Sequence, residues 1–418
     1  MKQNNQSYLQ YLLSVIGPGI LYAAAAVGLS HLVQATRAGA YFGLGLAMVV
    51  LVACLVKYPL MRFGGEYAAV TGKSLIHSYR QQGRWALYLY SIAQLVSMVF
   101  IIAAVSLFTL GLIKASFSIE IDNVLGCSIL LVFTVLLLYS GGYRILERFT
   151  KFIVLAFTLL LIATVAVVLP EISWSFGAFA LPTIDGATFM FIIALIGFMP
   201  SPADGSVLQS LWTCARAKEA GKLPSVQDAR TDFNVGFFTS VALALMFVVI
   251  GAGVMHGTGI EIAKSNGGFA RQLLDVFGGT IGGWAFPLMA ALAIFVMYST
   301  TITVIDGMTR ILAEISQDTL LVNVGERKRY LVLMTALCIL AMAVIAMFLK
   351  NFATFMDMVS ILVFVISPVI AVLNHRAIFH GGLPSDSQPS DLIRYWSLFG
   401  IIVLSAMSLG YFMVRFIL

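Results

Sequence analysis

The sequence predicts an all-α polytopic membrane protein that forms a single transmembrane domain over residues 1–418. Of its 418 residues, 60% are hydrophobic and only 11% are charged, and the mean hydropathy is +0.97. A water-soluble domain of this length would need far more polar surface. Eleven mostly apolar runs approach or exceed the roughly 20 residues that cross a bilayer core, and two of them contain helix-breaking residues midway.

The eleven predicted spans are separated by short polar connections. They centre on residues 10–38, 42–69, 85–113, 122–140, 148–170, 187–213, 233–256, 284–313, 329–349, 352–378 and 395–417. Most lysines and arginines fall on the side of these spans that holds the N-terminus, which predicts a cytoplasmic N-terminus. The same basic residues are scattered among loops, so the net charge of +6 does not indicate nucleic-acid binding.

The first and sixth spans are predicted to be discontinuous helices. The first contains Gly17-Pro18-Gly19 near its start and the segment Gly28–His31 at its midpoint, and the sixth is interrupted by Pro200, Pro202, Asp204 and Gly205. Matched interruptions in two halves are typical of inverted-repeat transporters, whose substrate lies between the breaks. We therefore expect one repeat over about 10–170, a second over about 187–378 and an extra helix over about 395–417.

The residues at the two breaks supply the candidate substrate site. His31 offers an imidazole and Asp204 a carboxylate, and these two are the candidate metal ligands. The remaining candidates offer hydroxyls or carbonyls freed by the breaks, and they are Gly28, Ser30, Met199 and Ser201. The same groups suit a small zwitterion or anion at half-helix N-termini. Two structural roles stay open: His31 as a hydrogen-bonded packing residue, and Asp204 as a helix N-cap.

Three segments resemble the natural-resistance-associated macrophage protein (Nramp) family of divalent metal transporters. GPGILYAAAAVGLSHLVQATRAGAYFG resembles the first helix of that family, TGKSL at 71–75 its segment after the second helix, and IALIGFMPSP its sixth helix. The resemblance implies a LeuT-type fold with a 5+5 inverted repeat and a peripheral eleventh helix. It also implies secondary-active or facilitative transport of divalent metal ions by alternating access, and a place in a bacterial inner membrane.

The sequence departs from the family pattern at the ligand positions. Aligned without gaps, the metal-binding Asp and Asn of the family fall on Gly28 and His31, and its Met and His fall on Ser201 and Ala203. A gapped alignment instead places the family's Met-Pro on Met199-Pro200. The charged proton route of the third and ninth helices is also absent. A second function therefore stays open, in which a transporter of the same fold moves a non-metal solute or anion, with cation coupling as an option.

The eighth span adds a candidate cation-coupling site, because hydroxyls in this helix beside the first break hold sodium in LeuT-type transporters. Its candidates are Ser299, Thr300, Thr303 and Asp306. The alternative is that these hydroxyls bond their own backbone in helix packing. The motifs GxxxxGK[ST], HExxH and GxSxG do not occur, so we expect neither an enzyme nor a bound cofactor. The expected partners are a small ion or solute and the lipid bilayer.

Overall fold

The computed structural model describes residues 15–140, 143–172, 174–259, 263, 265–318, 325–348 and 351–416. Within these residues the chain is a bundle of fifteen α-helices and contains no strand. The helices are α1 (Pro18–Ala26), α2 (Thr36–Phe42), α3 (Ala47–Thr71), α4 (Leu75–Gln81), α5 (Arg84–Phe117), α6 (Asn123–Tyr139), α7 (Tyr143–Val168), α8 (Gly186–Phe198), α9 (Gly205–Ala220), α10 (Val226–Val254), α11 (Asn266–Ile281), α12 (Ala285–Ile315), α13 (Glu326–Phe348), α14 (Phe352–Phe379) and α15 (Asp391–Phe416).

These helices confirm the predicted fold class. Nine described segments are long and apolar enough to cross a membrane, and α6 and α8 are two shorter apolar helices. Together they match the eleven predicted spans, with α1 and α2 forming the first and α8 and α9 the sixth. Residues 10–14, 349 and 417 of the predicted spans lie outside the described residues. The short helices α4 and α11 connect spans and were not predicted as separate elements.

The first break is shorter than the predicted Gly28–His31 segment. Helix α1 ends at Ala26, Val27 and Gly28 form a turn, and Leu29–Ala35 form a π-helix that leads into α2. The Gly28 carbonyl accepts hydrogen bonds from the amides of His31 and Leu32, at 3.2 and 2.9 Å. The expectation that this carbonyl is free is therefore wrong, because the π-helix satisfies it.

The second break lies where the sequence predicts it. Helix α8 ends at Phe198, and the chain is non-helical until α9 begins at Gly205. The Met199–Pro200 peptide bond is cis. Proline has no amide hydrogen and clashes with the preceding helical turn, so two prolines in this segment account for the interruption.

Helix α10 packs closely along both halves of the first span. A Cβ atom added at Gly236 would lie 2.0 Å from the Gly19 carbonyl oxygen, and one added at Gly251 would lie 2.2 Å from that of Thr36. Only glycine permits backbones to approach this closely. At the start of α10, the Asp232 carboxylate accepts the amides of Gly17 and Gly19, at 2.6 and 2.7 Å, and so holds the N-terminus of α1.

Candidate functional site

A small cavity lies between the two helix breaks. Its volume is about 40 Å³, and a single buried water needs roughly 10–15 Å³. One carboxylate residue and four hydroxyl residues contribute polar groups to its lining, and they are Asp204, Tyr22, Ser30, Ser201 and Thr300. In this conformation the cavity has room for a small ion or a few waters.

Asp204 supplies the carboxyl group of the cavity. Its side chain is buried and its Oδ2 accepts a hydrogen bond from Gln94 Nε2 on α5, at 2.9 Å. Asp204 is also the residue that precedes the first turn of α9. The positive end of a helix dipole favours a carboxylate at this position. Asp204 thus occupies the N-cap position and lines the cavity, but its side chain makes no capping hydrogen bond to α9.

Ser201 and Tyr22 connect the two breaks across the cavity. The Ser201 hydroxyl donates to the Tyr22 hydroxyl at 3.0 Å, and Tyr22 in turn donates to Met61 Sδ at 3.6 Å. Tyr22 lies on α1, so a residue of each interrupted helix contributes a hydroxyl to one pair. Sequence reasoning missed Tyr22 and Gln94, although a tyrosine in an alanine run and a glutamine inside a span are both visible in the sequence.

His31 does not line the cavity. Its Nε2 lies 2.8 Å from the Ser240 carbonyl oxygen, and its Nδ1 lies 2.7 Å from Ser30 Oγ. A carbonyl only accepts, so Nε2 donates to Ser240 and has no lone pair for a metal. The structure therefore places the imidazole against α10 and Asp204 in the cavity, and it does not bring the two predicted metal ligands together there.

The remaining predicted residues divide between the cavity and its surroundings. Ser30 lines the cavity, and its hydroxyl also donates to the Ala26 carbonyl. Met199 is fully buried and is not a lining residue. Gly28 lies in close contact with α12, because a Cβ atom added at this residue would lie 2.7 Å from Cγ2 of Thr300 on that helix.

Thr300 is the centre of the predicted cation-coupling group. Its Oγ1 lies 2.9 Å from the Ala24 carbonyl oxygen, 3.4 Å from that of Val27 and 3.0 Å from that of Val296. The Ser299 hydroxyl contacts the same Val296 carbonyl at 2.8 Å. Three carbonyl oxygens and two hydroxyls thus meet where the last turn of α1 crosses α12.

Thr303 and Asp306 lie outside this oxygen group. The Thr303 hydroxyl donates to the Ser299 carbonyl of its own helix at 2.7 Å. Asp306 accepts from Arg310 Nε at 2.7 Å and from the Tyr330 hydroxyl at 2.6 Å. Both carboxylate oxygens are therefore engaged, and the structure brings only Ser299 and Thr300 of the four candidates to the first break.

An ion pair links α2 to α14. Arg37 contacts both carboxylate oxygens of Asp357, at 2.7 and 3.1 Å, and its Nη1 also donates to Gln34 Oε1 at 2.9 Å. Gln34 Nε2 donates to Ser360 Oγ at 2.8 Å. Arg37 is buried and the Asp357 side chain is partly exposed. By the predicted topology this pair lies on the outer side of the cavity.

Comparison with known proteins places this chain in a family. The family model for natural resistance-associated macrophage protein-like proteins matches residues 19–413. An uncharacterized protein of Pasteurella multocida is 32% identical over 402 residues, which cover 95% of this chain and 91% of the relative. A divalent metal cation transporter of Staphylococcus aureus is 24% identical over 317 residues, covering 72% of this chain and 69% of the relative.

Solved structures share the architecture at low identity. A manganese transporter of Eremococcus coleocola superposes with a TM-score of 0.72 at 13% identity, covering 98% of this chain and 88% of that one. MhsT, solved in complex with L-phenylalanine, superposes with a TM-score of 0.70 at 13% identity and full coverage of both chains. These structures show a LeuT-type fold, and the chain belongs to the Nramp family of membrane transporters.

Proposed function

We propose that this chain is an alternating-access transporter of divalent cations, and that Asp204 is the carboxylate that binds the ion. The observation that carries the proposal is a buried carboxylate in a small cavity that hydroxyls line, between two helix breaks. The names of the S. aureus and E. coleocola proteins, a divalent metal cation transporter and a manganese transporter, support the substrate class.

The donor atoms favour cations that accept oxygen ligands. Carboxylate, hydroxyl, carbonyl and water oxygens suit Mg²⁺ and Mn²⁺, whereas thiolate, thioether and imidazole ligands suit softer metals. Within the described part of the chain, no group of three His, Cys, Asp or Glu residues is placed to hold a metal. We therefore propose that the ion keeps several of its waters, as Mg²⁺ does where proteins supply one or two carboxylates.

We propose further that the oxygens around Thr300 hold a coupling cation, sodium being the first to test. The Ala24, Val27 and Val296 carbonyls with the Ser299 and Thr300 hydroxyls form an uncharged oxygen set that suits a monovalent ion. Uptake into proteoliposomes should be faster in sodium than in choline medium. Equal uptake in both media would exclude sodium coupling.

We place the protein in a bacterial inner membrane with a cytoplasmic N-terminus. Eleven spans then put the C-terminus on the outer side, so a C-terminal tag that is accessible from outside the cell would support this topology.

The metal proposal is tested by replacing the carboxylate alone. Mn²⁺ or Mg²⁺ should raise the melting temperature of the purified wild-type protein, because a ligand that binds only the folded state stabilises it. Asp204→Asn should abolish that rise and the uptake of the same ion. The matched control is Asp275→Asn, which makes the same change on an exposed side chain of α11.

The same measurement separates the second candidate function, transport of a non-metal solute. This function is supported by the single carboxylate in the cavity and by the fold shared with MhsT, which was solved in complex with L-phenylalanine. If Mn²⁺, Mg²⁺, Fe²⁺ and Zn²⁺ all leave the melting temperature unchanged, the metal proposal is wrong and small zwitterions become the next ligands to test. Unchanged metal stabilisation in Asp204→Asn would remove Asp204 from the site.

A further inference from the structure

A buried lysine meets the carbonyl end of the second interrupted helix. Lys57 lies on α3, its exposure is 1%, and its ammonium donates to the carbonyls of Ile196 and Gly197 at 2.6 and 2.9 Å. A third, longer contact of 3.4 Å goes to the Ser201 carbonyl. Ile196 and Gly197 lie in the last turn of α8, and Ser201 lies inside the break.

These contacts match the chemistry of both partners. An ammonium has three donors and no acceptor, and the last carbonyls of a helix lack the usual amide partner four residues on. The Ile196 carbonyl accepts the Met199 amide at 3.2 Å as well as the Lys57 ammonium. The helix dipole also leaves partial negative charge at this end. A charge in a membrane interior is costly unless such groups surround it. Lys57 and the end of α8 therefore satisfy each other, and the charge–carbonyl bonds are as short as charge-assisted bonds usually are.

The two breaks differ in what their carbonyls meet. At the first break, the Ala24 and Val27 carbonyls meet the neutral Thr300 hydroxyl. At the second break, the corresponding helix end meets a cation that is covalently part of the protein. The contact to Ser201 matters for the cavity, because the Ser201 hydroxyl lines it and bonds Tyr22.

We propose that the Lys57 ammonium is a tethered cation that permanently fills a carbonyl-lined site at the second break and positions Ser201 at the cavity. Removal of the side chain should convert this position into an exchangeable site for ammonium, alkylammonium or potassium ions. Lys57 is thus a positioning residue that acts on the cavity through the Ser201 backbone. The inference concerns the ion-free protein and does not depend on which substrate is transported.

The experiment replaces Lys57 and returns its lost atoms in solution. Lys57→Ala removes Cγ, Cδ, Cε and Nζ, which n-propylammonium matches in shape and charge. The substrate-free protein is melted in N-methylglucamine buffer with increasing n-propylammonium, with propan-1-ol as the neutral comparison. We expect n-propylammonium to recover most of the melting temperature that the variant loses and to protect residues 196–204 from hydrogen exchange. Wild type and Lys218→Met, a change at an exposed lysine of α9, should not respond.

Two results would overturn the inference. Equal recovery by propan-1-ol would show that the side chain only fills space. Lys57→Met keeps the length of the chain without its charge, so wild-type stability and hydrogen exchange in that variant would show that the ammonium is not needed. If Lys57→Ala fails to fold, the Met variant still decides the question. Because no metal is present in these assays, failure of the metal proposal would leave their outcome unchanged.

Discussion

The contact between Gly28 and Thr300 gives the sharpest test of the first break. In Gly28→Ala, the new Cβ would lie 2.7 Å from Thr300 Cγ2 and 3.3 Å from its Oγ1, whereas ordinary contacts begin at 3.4 Å. The methyl groups must therefore separate by at least 0.7 Å, the difference between 3.4 and 2.7 Å. Hydrogen bonds from the hydroxyl to α1 and α12 hold Thr300 in place. Such overpacking costs about 1–3 kcal/mol.

That cost should appear in both stability and cation binding. The added methyl group would displace the Thr300 hydroxyl from the Ala24 and Val27 carbonyls. A loss of about 1–3 kcal/mol in the binding free energy of the coupling cation corresponds to roughly 5- to 150-fold weaker binding. The assay is a sodium titration of the melting temperature and of uptake. Gly267→Ala is the matched control, since nothing lies within 4 Å of its added Cβ.

A second substitution identifies the atom responsible. Thr300→Ser removes Cγ2, the atom that a Cβ at position 28 would approach most closely, and keeps the hydroxyl. Gly28→Ala combined with Thr300→Ser should therefore recover most of the lost stability and sodium response. Wild-type stability in Gly28→Ala alone, or no recovery in the double variant, would refute the packing explanation.

Three further changes test the ends of the bundle. Asp232→Asn weakens the hydrogen bonds that the carboxylate accepts from the N-terminus of α1, each worth about 1.5–3 kcal/mol. Labelling of a cysteine placed at the cavity residue Ser30 should then increase from the predicted cytoplasmic side, and unchanged labelling would contradict this. Asp357→Asn leaves Arg37 with a neutral partner and should increase labelling of the same cysteine from the predicted outer side. If that labelling does not increase, the Arg37–Asp357 ion pair does not close the outer side of the cavity. Partial burial, with basic neighbours, lowers the pKa of His77. As the pH falls, the unfolded chain therefore protonates His77 at a higher pH than the folded chain does, so stability should fall as the pH drops below about 6.5. His77→Gln should reduce this dependence of the melting temperature on pH, and an unchanged dependence would exclude His77 as its source.

The sequence predicts the spans and the second break well because both depend on local chemistry. Long apolar runs and paired prolines restrict the backbone wherever they occur. The direction of His31 is a different problem. Ser30 and His31 are adjacent in the π-helix, yet Ser30 lines the cavity whereas the His31 imidazole bonds the Ser240 carbonyl of α10. In a span that is apolar on all sides, periodicity does not indicate which of the two residues lines a cavity.

The carbonyl partners of Lys57 could not be predicted from the sequence for a similar reason. A lysine inside a span is visible as an unusual residue, but every residue has a carbonyl, so the sequence does not mark those that a helix break leaves available. The π-helix after Gly28 is hidden in the same way, because it is a hydrogen-bond pattern and not a residue type. Tertiary packing decides both features.

The contacts between α10 and the first span have a thermodynamic consequence. Backbone lies against backbone at Gly236 and Gly251, but the rings of Phe233 and Phe237 on α10 also pack against Tyr22 of α1. A displacement of α1 along this surface would separate these rings and expose apolar area, and heat-capacity changes scale with that area. An opening step that moves α1 in this way should therefore have a measurable heat-capacity change, so that a plot of the logarithm of its rate against inverse temperature is curved.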